Sequence, residues 1–195
     1  MMIFSSCIAY AQTNGSSDNV YKKLFEKIEN KQNNQTWKDF QEKFTFKNFL
    51  ALLGNYDNVN IAKRCGFEFV YKDVEIDGEI ECIEIVYGYD VKKGRKKDFG
   101  YEIIPKSEHA CYLTYNLDGS TGASLHFKDL TDVQTFQEQA KEYGLVISGD
   151  SYWVPKKKIS SGYHSMNGQN YEFIYGIGGV KYYNGWYFIP IGIDF

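Results

Sequence analysis

Three dipeptides, Asp77-Gly78, Asp118-Gly119 and Asn184-Gly185, each lie between runs in which apolar and polar residues alternate. A two-residue turn with positive φ at both positions matches the right-handed twist of the strands it joins, and Asn-Gly or Asp-Gly supplies that turn most readily. These signals commit most of the chain beyond Gly66 to antiparallel hairpins. Phe67, Phe69 and Tyr71 alternate, as do Val74 and Ile76, and Ile80 and Cys82 continue after the first turn. The phase slips at Ile83 before Ile85 and Tyr87, which predicts a β-bulge there. Residues 99–104, 112–115, 123–127, 145–147, 152–154, 171–175 and 186–193 read as further strands. An aromatic share of 17%, with 17 Tyr and 14 Phe, suits a pleated surface.

Helical spacing dominates the first third. Val20, Leu24 and Ile28 recur every fourth residue, with Ser17 or Asp18 placed to cap them. Trp37, Phe40 and Phe44 predict another turn or two, and Phe46, Phe49, Leu50 and Leu53 a short helix stopped by Gly54. A further helix is expected over 59–65, stopped by Gly66. Helix returns at a capping box, Thr131-Asp132-Val133-Gln134, with Val133, Phe136 and Ala140 on its buried face and Gly144 at its end. The fold class is therefore α+β, with short helices packed on antiparallel β-sheet.

The two halves echo one another. Ala62 to Phe67 resembles Ala140 to Leu145, Ile83 to Gly88 resembles Tyr171 to Gly176, and Gly100 to Pro105 resembles Gly185 to Pro190, always in the same order. That pattern suggests a duplicated helix-then-meander unit. The organisation read from the chain is a residual signal peptide over 1–11, an N-terminal helical region over 12–45, a first α+β half over 46–127 and a second over 128–195.

The leader, Met1 to Ala11, is apolar and small, and Ala9-Tyr10-Ala11 has the pattern a signal peptidase cuts after. A charged start and a longer apolar core are missing, which reads as a start placed downstream of the natural one. Export to the periplasm or the extracellular space is expected. Cys7 as an acylated lipoprotein residue is the rival reading. Cleavage after Ala11 leaves Cys65, Cys82 and Cys111, too few and too far apart for a disulfide framework, so three buried apolar cysteines are expected. No later stretch is apolar enough to span a bilayer. A net charge of −3 gives no general pull toward nucleic acid, and none is expected as a partner.

The tandem pattern of short helices ending in Gly-Phe, followed by an antiparallel meander, resembles β-lactamase-inhibitor-protein-like domains. Residues 49–69 carry most of that likeness and residues 140–145 echo it. The resemblance implies an exported protein that binds another protein through a concave sheet face.

No stretch carries a catalytic signature. His109 and Cys111 stand two apart in an expected strand and would share a face, either as a thiol–imidazole pair or as one surface His beside a buried Cys. Gly176-Ile177-Gly178-Gly179 lacks the Lys and Ser/Thr of a phosphate loop. Neither a metal site nor a cofactor is expected. Two features suggest a binding surface. The basic loop over 92–97 brings Lys92, Lys93, Arg95, Lys96 and Lys97 together, with Lys156 to Lys158 as a second cluster. Aromatic residues crowd the C-terminal strands, among them Trp153, Tyr182, Tyr183 and Trp186, as outward anchors or as a cross-strand core ladder. The expectation is a non-enzymatic module that binds another protein. A carbohydrate-binding accessory domain is the alternative, and a Cys/His enzyme is the third reading.

Overall fold

The computed structural model describes residues 23, 36–77, 80–117, 121–143, 146–148, 151–159, 165–166 and 169–193, with side chains of the strands from 146 to 175 left aside. The leader, the helix expected over Val20 to Ile28 apart from Lys23, and the turn residues Gly78 and Gly119 lie outside them. The chain divides into two compact units, Met1–Asp39 and Phe40–Phe195. Residues 36–39 of the first are helical and begin α1, which runs over 36–43.

Three more helices follow, each set by a local cap. Thr45 opens α2 (Phe46–Leu53), its side chain accepting from the Asn48 N–H at 3.3 Å. Asn58 opens α3 (Val59–Arg64), its Oδ1 accepting from the N–H groups of Asn60 and Ile61. The helix α3 ends in a Schellman motif, with Gly66 N–H donating to the Lys63 carbonyl and Phe67 N–H to that of Ala62. Gly66 is held at φ +86, where a side chain is strained, and a Cβ there would lie 2.6 Å from the Phe40 ring. The helix α4 (Leu130–Glu142) starts one residue before the expected box, because Asp129 caps it by accepting from the Thr131 N–H at 2.6 Å.

Among the described residues twelve strands run in chain order, with α4 between the sixth and the seventh: β1 (Glu68–Asp77), β2 (Ile80–Tyr89), β3 (Val91–Lys96), β4 (Tyr101–Pro105), β5 (Cys111–Leu117), β6 (Thr121–Phe127), β7 (Val146–Ser148), β8 (Ser151–Ile159), β9 (Ser165–Met166), β10 (Gln169–Ile177), β11 (Lys181–Tyr183) and β12 (Trp186–Ile193). Ten form one antiparallel sheet, ordered β1-β2-β5-β6-β12-β10-β8-β7, with β11 on β12 and β9 on β10. The sheet runs unbroken across the boundary expected at 127/128, since β6 pairs with β12. Four strands from before α4 and six from after it thus meet in one sheet. The echoed segments do not take matching places in it: β2 was matched to β10 and β4 to β12, yet β4 lies outside the main sheet.

One face of this sheet packs on the helices. Tyr87, Leu113, Tyr115, Leu125, Phe127 and Ile189 are buried against Phe49, Leu52, Leu53 and Phe136. Phe44, just beyond α1, stacks on Phe136 and meets Phe49 and Phe67 edge-on. The Tyr115 hydroxyl donates to the Leu52 carbonyl at 2.8 Å and ties the sheet to α2. Each such buried side chain contributes about 1.5–3 kcal/mol.

Three sequence expectations need correction. The β1–β2 register shifts between Phe69 and Tyr71, where Val70 is the extra residue, and not at Ile83. The stretch 92–97 is no loop: most of it is strand β3, paired with β4 in a separate ribbon. Of the three cysteines among the described residues, Cys65 and Cys111 are buried but Cys82 is half-buried, and all three are free thiols.

Candidate functional site

The sheet face turned away from the helices carries a different set of side chains. Because side chains alternate along a strand, the residues between the core positions point this way: Tyr71 and Asp73 from β1, Glu84 from β2, Tyr112, Thr114 and Asn116 from β5, Ser124 and His126 from β6, and Trp186 and Phe188 from β12. Register brings them into rows, with Glu84 opposite Asn116, Thr114 opposite Ser124, and Tyr112 opposite His126, which itself lies opposite Phe188. The β3–β4 ribbon folds over this face. Between them lies a groove of about 540 Å³, walled on the ribbon side by Lys97, Phe99, Tyr101, Glu102 and Ile103.

His126 is sandwiched in the floor. Its ring stacks on Tyr112 with centroids 4.2 Å apart and on Phe188 at 5.4 Å. Its Nε2 shares a hydrogen bond with Ser124 Oγ at 2.8 Å. Burial pushes the imidazole pKa down to about 3, so the ring is neutral at ordinary pH. A base that weak is poorly matched to taking the Ser124 proton near neutrality. The pair therefore works as a neutral hydrogen-bonding array.

Glu84 lies at the other end of the floor. Its Oε2 accepts from the Tyr71 hydroxyl at 2.5 Å. Burial holds this carboxyl above the usual range, and the Tyr71 hydrogen bond acts against that shift. Burial and the bond to Glu84 push the Tyr71 phenol far above its usual range, so it stays protonated. Next to them, Lys96 pairs with Asp73 and lies 3.2 Å from Glu75 Oε1. The hydrogen bond from Lys96 holds the Asp73 carboxyl below its usual range.

The residues singled out in the sequence scatter around this groove. Lys97, Tyr183 and Trp186 line it. Trp186 is no outward anchor: it is 7% exposed, packed with Val91 and Ala110, with the Lys128 ammonium 5.5 Å above its ring. Tyr182 and Tyr183 are exposed, at 65% and 68%. Tyr182 packs on Tyr187, opposite it on β12, and so faces away from the groove. Lys93 and Lys96 place their ammonium groups 4.3 and 4.9 Å from the Tyr101 ring centre. Lys92 and Arg95 are exposed on the ribbon. Trp153 belongs to β8, with its side chain outside the described residues.

His109 and Cys111 do not share one strand as expected. His109 lies in the turn before β5, and its Nδ1 is 3.1 Å from Asp132 Oδ2 at the start of α4. Cys111 is buried in the core, where desolvation pushes its thiol well above the usual range and keeps it protonated. Asp132 is held above its usual range by burial, with His109 acting against that shift.

Sequence reasoning missed Tyr71, Glu84, Tyr112, Asn116, Ser124 and His126. Their signal was present as polar residues two apart, Tyr112-Thr114-Asn116 and Ser124-His126, within strands whose other residues are apolar. Comparison with known proteins leaves the chain to be read from this geometry. No protein family, no curated protein and no solved structure matches it.

Proposed function

We propose that the chain is a non-enzymatic binding module, and that its groove takes a short stretch of neutral saccharide. The observation that carries this reading is the composition of the groove. Away from Glu84 at one end, its floor is hydroxyl, amide and imidazole, from Thr114, Asn116, Ser124 and neutral His126, set among the aromatic rings of Tyr101, Tyr112 and Phe188. Sugars present hydroxyls around a ring edge and C–H groups on its faces, so polar groups interleaved with aromatics fit them. The volume of about 540 Å³ falls in the range of small-ligand sites. The exported setting that the small-residue leader implies agrees with a glycan ligand.

The test is calorimetric titration of the full chain with a panel of neutral di- and trisaccharides, alongside Gly122→Phe. A Cβ at Gly122 meets nothing within 4 Å, and Gly122 is paired with Asn116 of the groove floor, so the substitution sets an aromatic ring beside that floor. Binding by the wild type that is lost in the folded variant supports the reading. A folded wild type that binds no member of the panel removes it.

A protein partner, the role implied by the β-lactamase-inhibitor-protein resemblance, is the second reading. The two exposed tyrosines of β11 favour it, since exposed Tyr is a common interface anchor.

A further inference from the structure

The ribbon that roofs the groove is held at its two ends by different forces. At its base, Val91 and Ile103 join the apolar cluster of Ala110 and Trp186, flanked by Val70 and Tyr112. The Lys106 N–H closes the base by donating to the Asp90 carbonyl at 2.9 Å. Apolar contacts of this kind are non-directional and tolerate small rotations.

At the tip the attachments are polar and directional. Lys96 reaches Asp73 and Glu75 on β1. Gly100 N–H donates to Asp73 Oδ2 at 2.9 Å, and Tyr101 N–H donates to the Tyr71 hydroxyl at 3.2 Å. Gly100 has φ +69 and sits so close to Glu84 that a Cβ would fall 1.8 Å from its Oε2. Among the described residues β3 and β4 pair only with each other. Side chains of β1 and β2 therefore fasten the tip, and no backbone ladder does.

We infer that the ribbon tip is a latch: the ribbon pivots on its apolar base, and release of Lys96 and Gly100 from Asp73 opens the groove. The inference rests on the groove being the binding site. The residues that move, Lys97, Phe99 and Tyr101, form the roof, and the residues uncovered, Ser124 and His126 among them, form the floor. The lysine end of the ion pair is open to solvent, which screens and weakens it, and that suits a fastening that opens in thermal motion. The buried base stays closed on the same timescale.

The test uses the full chain with Asp73→Ala and, as a milder variant, Lys96→Gln. Amide hydrogen exchange is followed by NMR at Gly100 and Tyr101, with Lys106 and Phe67 as references for the ribbon base and the helical core. Tip amides are expected to exchange about threefold to tenfold faster in both variants while the references hold. The same proteins are treated with diethyl pyrocarbonate and mapped by mass spectrometry. His126 is expected to be modified faster in the variants, with His109 as the internal standard. Unchanged tip exchange in both variants overturns the latch, as does Lys106 accelerating together with the tip. Faster tip exchange with His126 still protected overturns it too, because the movement then opens nothing. An open latch in a protein that binds no saccharide refutes the ligand class and leaves the latch standing.

Discussion

Tyr71 and Glu84 meet diagonally across the first two strands of the sheet, Tyr71 being paired with Val86 and Glu84 with Asp73, and the phenol donates to the carboxylate at 2.5 Å. The bond satisfies a carboxyl that the groove would otherwise leave desolvated, and it places Glu84 directly beneath Gly100 of the ribbon. Burial raises the Glu84 pKa. Between the usual glutamate value and this raised one, the folded state holds more protons than the unfolded state. Stability therefore falls as pH rises through that window.

Glu84→Gln keeps an acceptor for Tyr71 and removes the buried charge. The variant is expected to be slightly more stable than wild type at pH 7, with the difference fading as pH falls below the usual glutamate range. Tyr71→Phe has the opposite sign, because it leaves the carboxylate without its donor, and is expected to cost about 1–3 kcal/mol at pH 7. Urea midpoints at pH 7 and pH 4 separate the two. Equal midpoints for both variants at pH 7 would remove the assigned role of the bond.

Asp73 contributes with the reverse pH dependence. Lys96 holds its carboxyl below the usual range in the folded chain. Its contribution is complete above the unfolded value of about 3.9 and is lost as pH falls through the lower folded value. Asp73→Asn should therefore be less stable than wild type at pH 7, with the gap narrowing as pH falls below the usual aspartate range. Parallel urea curves with a constant gap across that range would contradict the assignment.

The three described cysteines should separate cleanly by reactivity. Cys65 donates its thiol to the Asn48 carbonyl, and burial pushes its pKa up to about 11. Cys111 is buried and more strongly shifted in the same direction. Cys82 is half-buried and should react with a chromogenic disulfide reagent about 100-fold faster than either. Stopped reactions digested for mass spectrometry read the order directly, and unfolding in guanidinium should make the three equivalent.

Local signals served the fold well where the cause was local. Asn184 and Gly185 take φ of 50 and 79, as a two-residue hairpin of that composition requires. Gly54 and Gly66 stop α2 and α3 where the periodicity ends. The bulge was misplaced because the apolar Cys82 looks like a core position next to Ile83. In the fold Cys82 and Glu84 share the groove face, and Ile83, Ile85 and Tyr87 share the core face without a break. Residues 92–97 look like a loop because they are all Lys, Arg or Gly; the apolar contacts that hold the ribbon come from Val91 and Ile103, outside that stretch. The groove itself was not legible. Glu84 and His126 line one groove because β2 pairs with β5 and β5 with β6; Asp118-Gly119 signals the second pairing, but no sequence spacing places β5 beside β2.

Trp186 and Tyr183 are opposite one another across the last hairpin and line the same groove, but a substitution should act differently at each. Trp186 is packed with Val91 and Ala110, so Trp186→Ala leaves a cavity and should cost about 3–5 kcal/mol. In a chain of this size that lowers the melting temperature by on the order of 10 °C. Tyr183 is 68% exposed, and Tyr183→Ala should change stability by no more than about 0.5 kcal/mol. Any ligand that loses affinity in the Tyr183 variant at unchanged melting temperature is bound at this rim of the groove. Loss confined to the Trp186 variant, together with a lowered melting temperature, reports a loosened ribbon base, since Trp186 is the largest side chain on which that base rests. Thermal unfolding measured beside each titration distinguishes the two, and a Trp186→Ala protein that melts like the wild type would show that the ribbon base is not anchored there.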